Sequence, residues 1–302
     1  MVLAQLVFIL ILVFAFLTIA ASCLKHAIIL SSVMGLWASF AYLLYQAPDV
    51  AISEAVVAST LGTIMLVLTI RKYSDINLPP LRDLLRLRWW AVLLLVATCG
   101  VMIWYTVTSP SIAQSPLHTA VIETYLASPR IVNPISSILL DFRGFDTVLE
   151  ASMLLVAVLA VVHLTDTSGH HGATSYPATN LSHPTLRTGI RVILPLFVVI
   201  GLAIVAGDPF TPGGGFQGGG VLAAVVVGRY LIRPYGGGRT MTMENTEKIV
   251  FVLFVLSMIG YYGMSLRSDF NYPIFMIAMN TLLGIKVFCG LSIIFLFFAA
   301  EE

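Results

Sequence analysis

The chain has 302 residues, 58% of them hydrophobic and 10% charged, with a mean hydropathy of +0.95 and a formal net charge of +1. Soluble domains carry about 25% charged residues, so a water-soluble globule is excluded; the net charge itself says nothing about nucleic acid, which is not expected as a partner. The composition predicts an all-α, polytopic integral membrane helix bundle embedded in a lipid bilayer.

A membrane-spanning helix needs about 20 apolar residues. Such runs occur at 2–23, 27–46, 49–70, 89–108, 145–164, 188–206, 216–233, 249–266 and 274–300, which predicts about nine spans. The first run has no basic residue ahead of it, and Lys25 and His26 follow it. That order is the reverse of a cleavable signal peptide, so the run is expected to be retained. With the N-terminus outside, most Lys and Arg residues fall inside, among them Arg71, Lys72, Arg82, Arg86, Arg88 and Arg239, while Arg130, Arg143 and Arg267 fall outside. The positive-inside rule therefore predicts an N-out, C-in topology. Cys23, Cys99 and Cys289 lie singly in or at the ends of separate spans, without metal-binding spacing, so no metal and no cofactor is expected.

Two polar stretches, 71–88 and 165–187, divide the spans into blocks of three, two and four, giving domain boundaries at 1–75, 76–170 and 181–302. A short helix is predicted around 120–126, between the fourth and fifth spans. In the first block, Ala47-Pro48-Asp49 reads as a helix start, with Pro at the first turn and Asp where the helix dipole favours negative charge, so Asp49 is expected to cap. Glu54 lies further in, within an apolar run, where a carboxylate costs roughly 2.5–3.5 kcal/mol of insertion energy. It is expected either to handle a proton or cation or to hydrogen-bond a neighbouring helix. Lys25 stands at a helix end, where snorkelling competes with a functional role.

The second block enters the membrane through Asp141-Phe142-Arg143-Gly144-Phe145-Asp146-Thr147-Val148-Leu149-Glu150. Asp146 and Glu150 are i,i+4 neighbours, a repulsive pair that calls for a cation, a proton or the Arg143 guanidinium. In the third block, Pro212-Gly213-Gly214-Gly215-Phe216-Gln217-Gly218-Gly219-Gly220 lacks the Gly-Lys-Ser/Thr ending of a phosphate loop. Gly214, Gly215, Gly218 and Gly219 instead have small-xxx-small spacing, which suits close helix packing with a partner chain or a re-entrant turn lining a polar cavity. Lys286, mid-span behind Asn280 and Gly284, is read as a functional group or half of an ion pair. His163, His170, His171 and His183 carry no metal-site pattern.

These motifs together resemble a set of known membrane modules. Residues 47–54 resemble the MbhD-like domain of Mrp-type antiporters and membrane-bound hydrogenases, and 141–150 the MbhE-like domain that follows it. The third block, from Pro184-Thr185-Leu186-Arg187-Thr188 through 212–219 to Gly284-Ile285-Lys286-Val287, is similar to the MrpB/MnhB subunit, with Asp208 near the place where that subunit usually has His. The resemblance implies a non-enzymatic subunit of a multisubunit cation/proton antiporter in a prokaryotic cell (inner) membrane. It implies Na+ and H+ as transported ions and large complex-I-like antiporter subunits as partners. The ion path it implies runs through Glu54, Asp146, Glu150 and Lys286, with Asp49, Asp141, Arg143 and Lys25 in support. The same modules occur in redox-driven, membrane-bound hydrogenase-like complexes, and a scaffold subunit with all its charges paired is a third reading.

Overall fold

The structure is a computed structural model that describes residues 2–71, 116–127, 131–166, 184–232, 240–263 and 272–300, with scattered positions between 93 and 108. Every described element is helical. Eight of the described helices are long and apolar enough to cross a membrane. The fourth expected span, 89–108, falls largely outside the described residues, as do the connector 71–88 and most of the linker 165–187.

Helix α1 (Val2–Ala20) and helix α2 (Leu24–Leu44) form a hairpin. A turn at 45–47, with Gln46 at φ 60°, delivers the chain to Pro48. The third span begins as α3 (Pro48–Ser53), widens into a π-helical segment (Glu54–Gly62) and closes as α4 (Thr63–Arg71). The wide winding shows in its hydrogen bonds: Thr60 Oγ1 donates to the carbonyl of Ala55, five residues back, at 2.7 Å. The short helix between spans four and five is α5 (Pro116–Ala127).

Helix α6 (Pro134–Ser137) starts on Asn133, whose side chain accepts the N–H of Ile135 at 3.1 Å, with Pro134 at the first helical position. A second π-helical turn (Ile138–Phe142) follows, and the N–H of Arg143 donates to the carbonyl of Ile138 at 2.8 Å. Helix α7 (Gly144–Asp166) then spans. The last four spans are α8 (Pro184–Gly207), α9 (Gly215–Ile232), α10 (Thr240–Gly263) and α11 (Tyr272–Ala300).

Helix α11 is the centre of the molecule. Its most apolar stretch is 61% buried, against 6% for α1, and it packs on α9, α10 and α7. Phe254, Tyr261, Tyr272, Met276 and Met279 join α10 to α11 in one apolar cluster, and Leu61 of the first block joins Val227 and Phe295 in another. The three blocks thus share a core rather than standing apart.

Candidate functional site at the junction of three segments

The glycine-rich loop after α8 is where the segments meet. Gly213 and Gly214 have φ of +151° and +148°, conformations that L side chains rarely adopt. The N–H groups of Gly213 and of Gly215, at the start of α9, meet acceptors from elsewhere. Asp49 accepts the N–H of Gly213 at 2.5 Å, and Asn280 Oδ1 accepts that of Gly215 at 3.0 Å. Asp49 is therefore not the cap of its own helix, as its position in the sequence suggested; Ala47 holds that position without a side-chain bond. A carboxylate 4% exposed would be costly without a donor, and the loop supplies one.

Asp208 lies just beyond α8, 2% exposed. Its Oδ2 accepts from Ser136 Oγ and from Asn280 Nδ2. Asn133 Nδ2 donates to the Asp208 carbonyl at 3.0 Å and to that of Thr211 at 3.1 Å. Burial pushes the Asp208 carboxyl up to about 6, and the nearby Asp49 charge adds to the rise, while the bonds from Ser136 and Asn280 oppose it.

Beside this network is a cavity of about 420 Å³ walled by Ser53, Thr147, Glu150, Asp208, Gln217 and Asn280. No Lys, Arg or His is among its described lining residues. Gln217 donates from Nε2 to the Asp49 carbonyl at 3.5 Å, so Asp49 stands behind the wall residues Gln217 and Gly213. The wall thus combines carboxylate, amide and hydroxyl groups from spans far apart in sequence, an arrangement suited to a cation or to protons relayed through water.

The other expected path residues are distributed around this junction. Asp146 is held at the surface by Arg143, at 2.5 Å, so the i,i+4 pair is split between a surface ion pair and the cavity wall, where Glu150 sits. Asp141 is buried and accepts from Tyr261 Oη at 3.2 Å, while Tyr262 Oη donates to its carbonyl at 2.8 Å. Glu54 faces a different cavity, of about 320 Å³, among the first three spans. The π-helical segment divides the two: Val57 lines the junction, and Glu54, Ala58 and Ser59 line the other side. Lys25, in the first turn of α2, lines neither cavity.

Lys286 pairs with Glu247 at 2.8 Å, both 0% exposed, with its Nζ 5.6 Å from the Phe251 ring centroid. The sequence does not single out Glu247, because the apolar run begins only at 249, although a buried lysine demands a counter-charge. Ser136, Gln217 and Asn133 also escape notice in the sequence; the Asn-Pro helix start at 133 is the one available signal. The glycines pack within the chain. A Cβ at Gly215 would stand 2.6 Å from the carbonyl of Asn280, one at Gly219 2.6 Å from that of Gly284, and one at Gly218 2.7 Å from that of Gly201. The close approach is to α11 and α8, rather than to a partner chain.

Residues 9–75 match the MbhD family of MBH components, and residues 185–300 match the domain related to the MnhB subunit of Na+/H+ antiporter. The chain joins an MbhD domain to an MnhB-related domain. Asp49 and Glu54 belong to its MbhD domain, and Asp208, Gln217, Glu247, Asn280 and Lys286 to its MnhB-related domain, with Glu150 between the two. The Mrp complex from Dietzia sp. DQ12-45-1b contains a chain of similar fold, with TM-score 0.75 and 17% identity over 96% of this chain and 34% of that one. The chain with these two domains thus spans about a third of that chain's length. The archaeal membrane-bound sulfane sulfur reductase, a respiratory membrane complex, contains another, with TM-score 0.56 and 23% identity over 69% of this chain and 97% of that one. At these identities the likeness is one of fold. The uncharacterized protein MJ1307 of Methanocaldococcus jannaschii is 24% identical over 198 residues, 59% of this chain and 72% of that protein.

Proposed function

We propose that this chain serves a multisubunit cation/proton antiporter, with sodium as the cation, and contributes a lateral ion path beside large complex-I-like antiporter subunits. The observation that carries the reading is the junction cavity, where exposed Glu150 and buried Asp208 share a half-open wall with no basic residue among its described lining, and Asp49 bonds to its wall residues Gly213 and Gln217. Such groups are expensive inside a membrane and are retained where they meet ions or protons. On this reading the chain is N-out, C-in in a prokaryotic inner membrane, the segment 76–170 is an MbhE-like module, and no reaction is catalysed by the chain itself. Glu54, Asp49, Glu150 and Asp208 carry the path, Asp146 and Arg143 flank its mouth, and Asp141, Lys25 and the Lys286–Glu247 pair support it. Sodium-dependent proton movement in inverted vesicles carrying the complete complex tests this. Glu54→Gln and Glu150→Gln are expected to abolish it at equal assembly, and unchanged exchange in both would turn the reading towards a scaffold.

The second reading, a membrane-arm component of a redox-driven ion pump, is favoured by the fold likeness that covers 97% of a chain from the sulfane sulfur reductase complex. Purification of the native complex separates the two. Iron–sulfur absorbance and proton movement on addition of an electron donor support the redox reading, whereas exchange driven by a sodium gradient alone supports the antiporter.

A further inference from the structure

The cavity that Glu54 faces differs in kind from a packing gap. It lies between α1, α2 and the third span, with Thr18, Ser31, Ser32, Ser59 and Thr63 in its wall beside Glu54. Ser59 is 4% exposed, and its hydroxyl has no hydrogen-bond partner among the described residues. A buried hydroxyl left in that state is costly unless something in the cavity completes it. Gly35 supplies the second observation. A Cβ at that position would overlap Ser59 Oγ and stand 3.0 Å from Glu54 Oε1, so both oxygens converge on one notch in α2. The π-helical winding brings this about: i→i+5 turns carry residues 54 and 59 round to the same side, which 3.6 residues per turn would not do.

Glu54 is the single charged residue in the described lining. One positive charge therefore neutralises the site, whereas a divalent ion would leave excess charge in a medium that penalises it. Apart from the Met34 thioether, the remaining polar side chains of the lining are hydroxyls, hard oxygen ligands that suit alkali and alkaline-earth cations rather than transition metals. A proton on Glu54 would make no use of them. We propose that Glu54 and Ser59 together hold a partly dehydrated monovalent alkali cation in this cavity, with Ser59 supplying a neutral oxygen ligand and Gly35 the space. The inference rests on the transport reading and deepens it by naming the ligand and a residue that holds it.

The test is the initial rate of proton movement against sodium concentration, in inverted vesicles carrying the complete complex at equal assembly. Ser59→Ala is expected to raise the half-saturating sodium concentration roughly tenfold while keeping the maximal rate. Ser59→Cys, nearly isosteric and so safe for folding, exchanges hard oxygen for soft sulfur and is expected to do the same. An unchanged half-saturation in these variants, or a change confined to the maximal rate, overturns the inference. If that happens while Glu54→Gln still abolishes exchange, the transport reading stands without the serine ligand. If Glu54→Gln leaves exchange intact, the cation site fails, and if Glu150→Gln does so as well, the transport reading itself fails.

Discussion

Asp208 is protonated more readily in the fold than in the unfolded chain, and this fixes the sign of its pH dependence. Its contribution to stability is fully present below its ordinary value of 3.8 and is lost as pH rises through about 6. At neutral pH the ionised form costs about 3 kcal/mol relative to an unperturbed aspartate. Asp208→Asn is expected to raise the melting temperature of the purified protein relative to wild type at pH 8, with the gap shrinking as pH falls to 5. A gap that does not vary with pH would show that the carboxyl does not titrate in this range. The Lys286–Glu247 pair makes a second prediction, from charge alone. Glu247→Gln leaves an uncompensated buried ammonium and is expected to destabilise by about 3–5 kcal/mol, while the double variant Lys286→Met, Glu247→Leu recovers most of the loss. Equal melting temperatures for the two would contradict a buried ionic pair. Lys286 is conspicuous in the sequence because an apolar run carries no innocent lysine. Glu247 is not, because it falls just ahead of the apolar run that marks its span.

At the scale of elements, the glycine loop and α9 do two jobs. The loop turns its N–H groups outwards to Asp49 and Asn280, and the helix lets α11 and α8 approach to backbone contact. Gly219→Ala is expected to destabilise the isolated chain by about 1–3 kcal/mol, since the added methyl would meet the Gly284 carbonyl at 2.6 Å. Gly260→Ala is its control. That glycine has nothing within 4 Å of an added Cβ, so the change is expected to be neutral or to stabilise by up to about 1 kcal/mol through helix propensity. Thermal unfolding of the two in detergent decides it. The eight described spans were legible because a run of apolar residues has no alternative to a helix in lipid. The π-helical segments were not. Residues 54–62 read as an ordinary apolar helix, and nothing in their composition announces that Ser53 and Val57 will face one cavity while Glu54 and Ser59 face another. The glycine spacing suggests close packing but gives no hint of which helix is packed against.

For the whole molecule, the central helix is also the longest: α11, at 29 residues, is about 43 Å long at 1.5 Å per residue. That exceeds the ~30 Å hydrocarbon core, so the helix tilts or projects beyond it. The polar separators suggest three blocks but say nothing of where those blocks would meet. The junction depends on contacts such as Ser136 to Asp208 and Asp49 to Gly213, separated by 72 and 164 residues, which no local pattern encodes. The predicted topology follows at the same scale. A fluorescent protein fused after Glu302 is expected to fold and fluoresce inside the cell, and a dark but translocated fusion would reverse the orientation. The most direct test of the junction as an ion path is sodium-dependent proton movement in inverted vesicles carrying the complete complex, with Glu150→Gln compared with Glu123→Gln at equal assembly. Glu150 lines the cavity and Glu123 is exposed on the short helix α5. Loss of exchange in the first with retention in the second is the predicted result; retention in both would contradict a path through the junction.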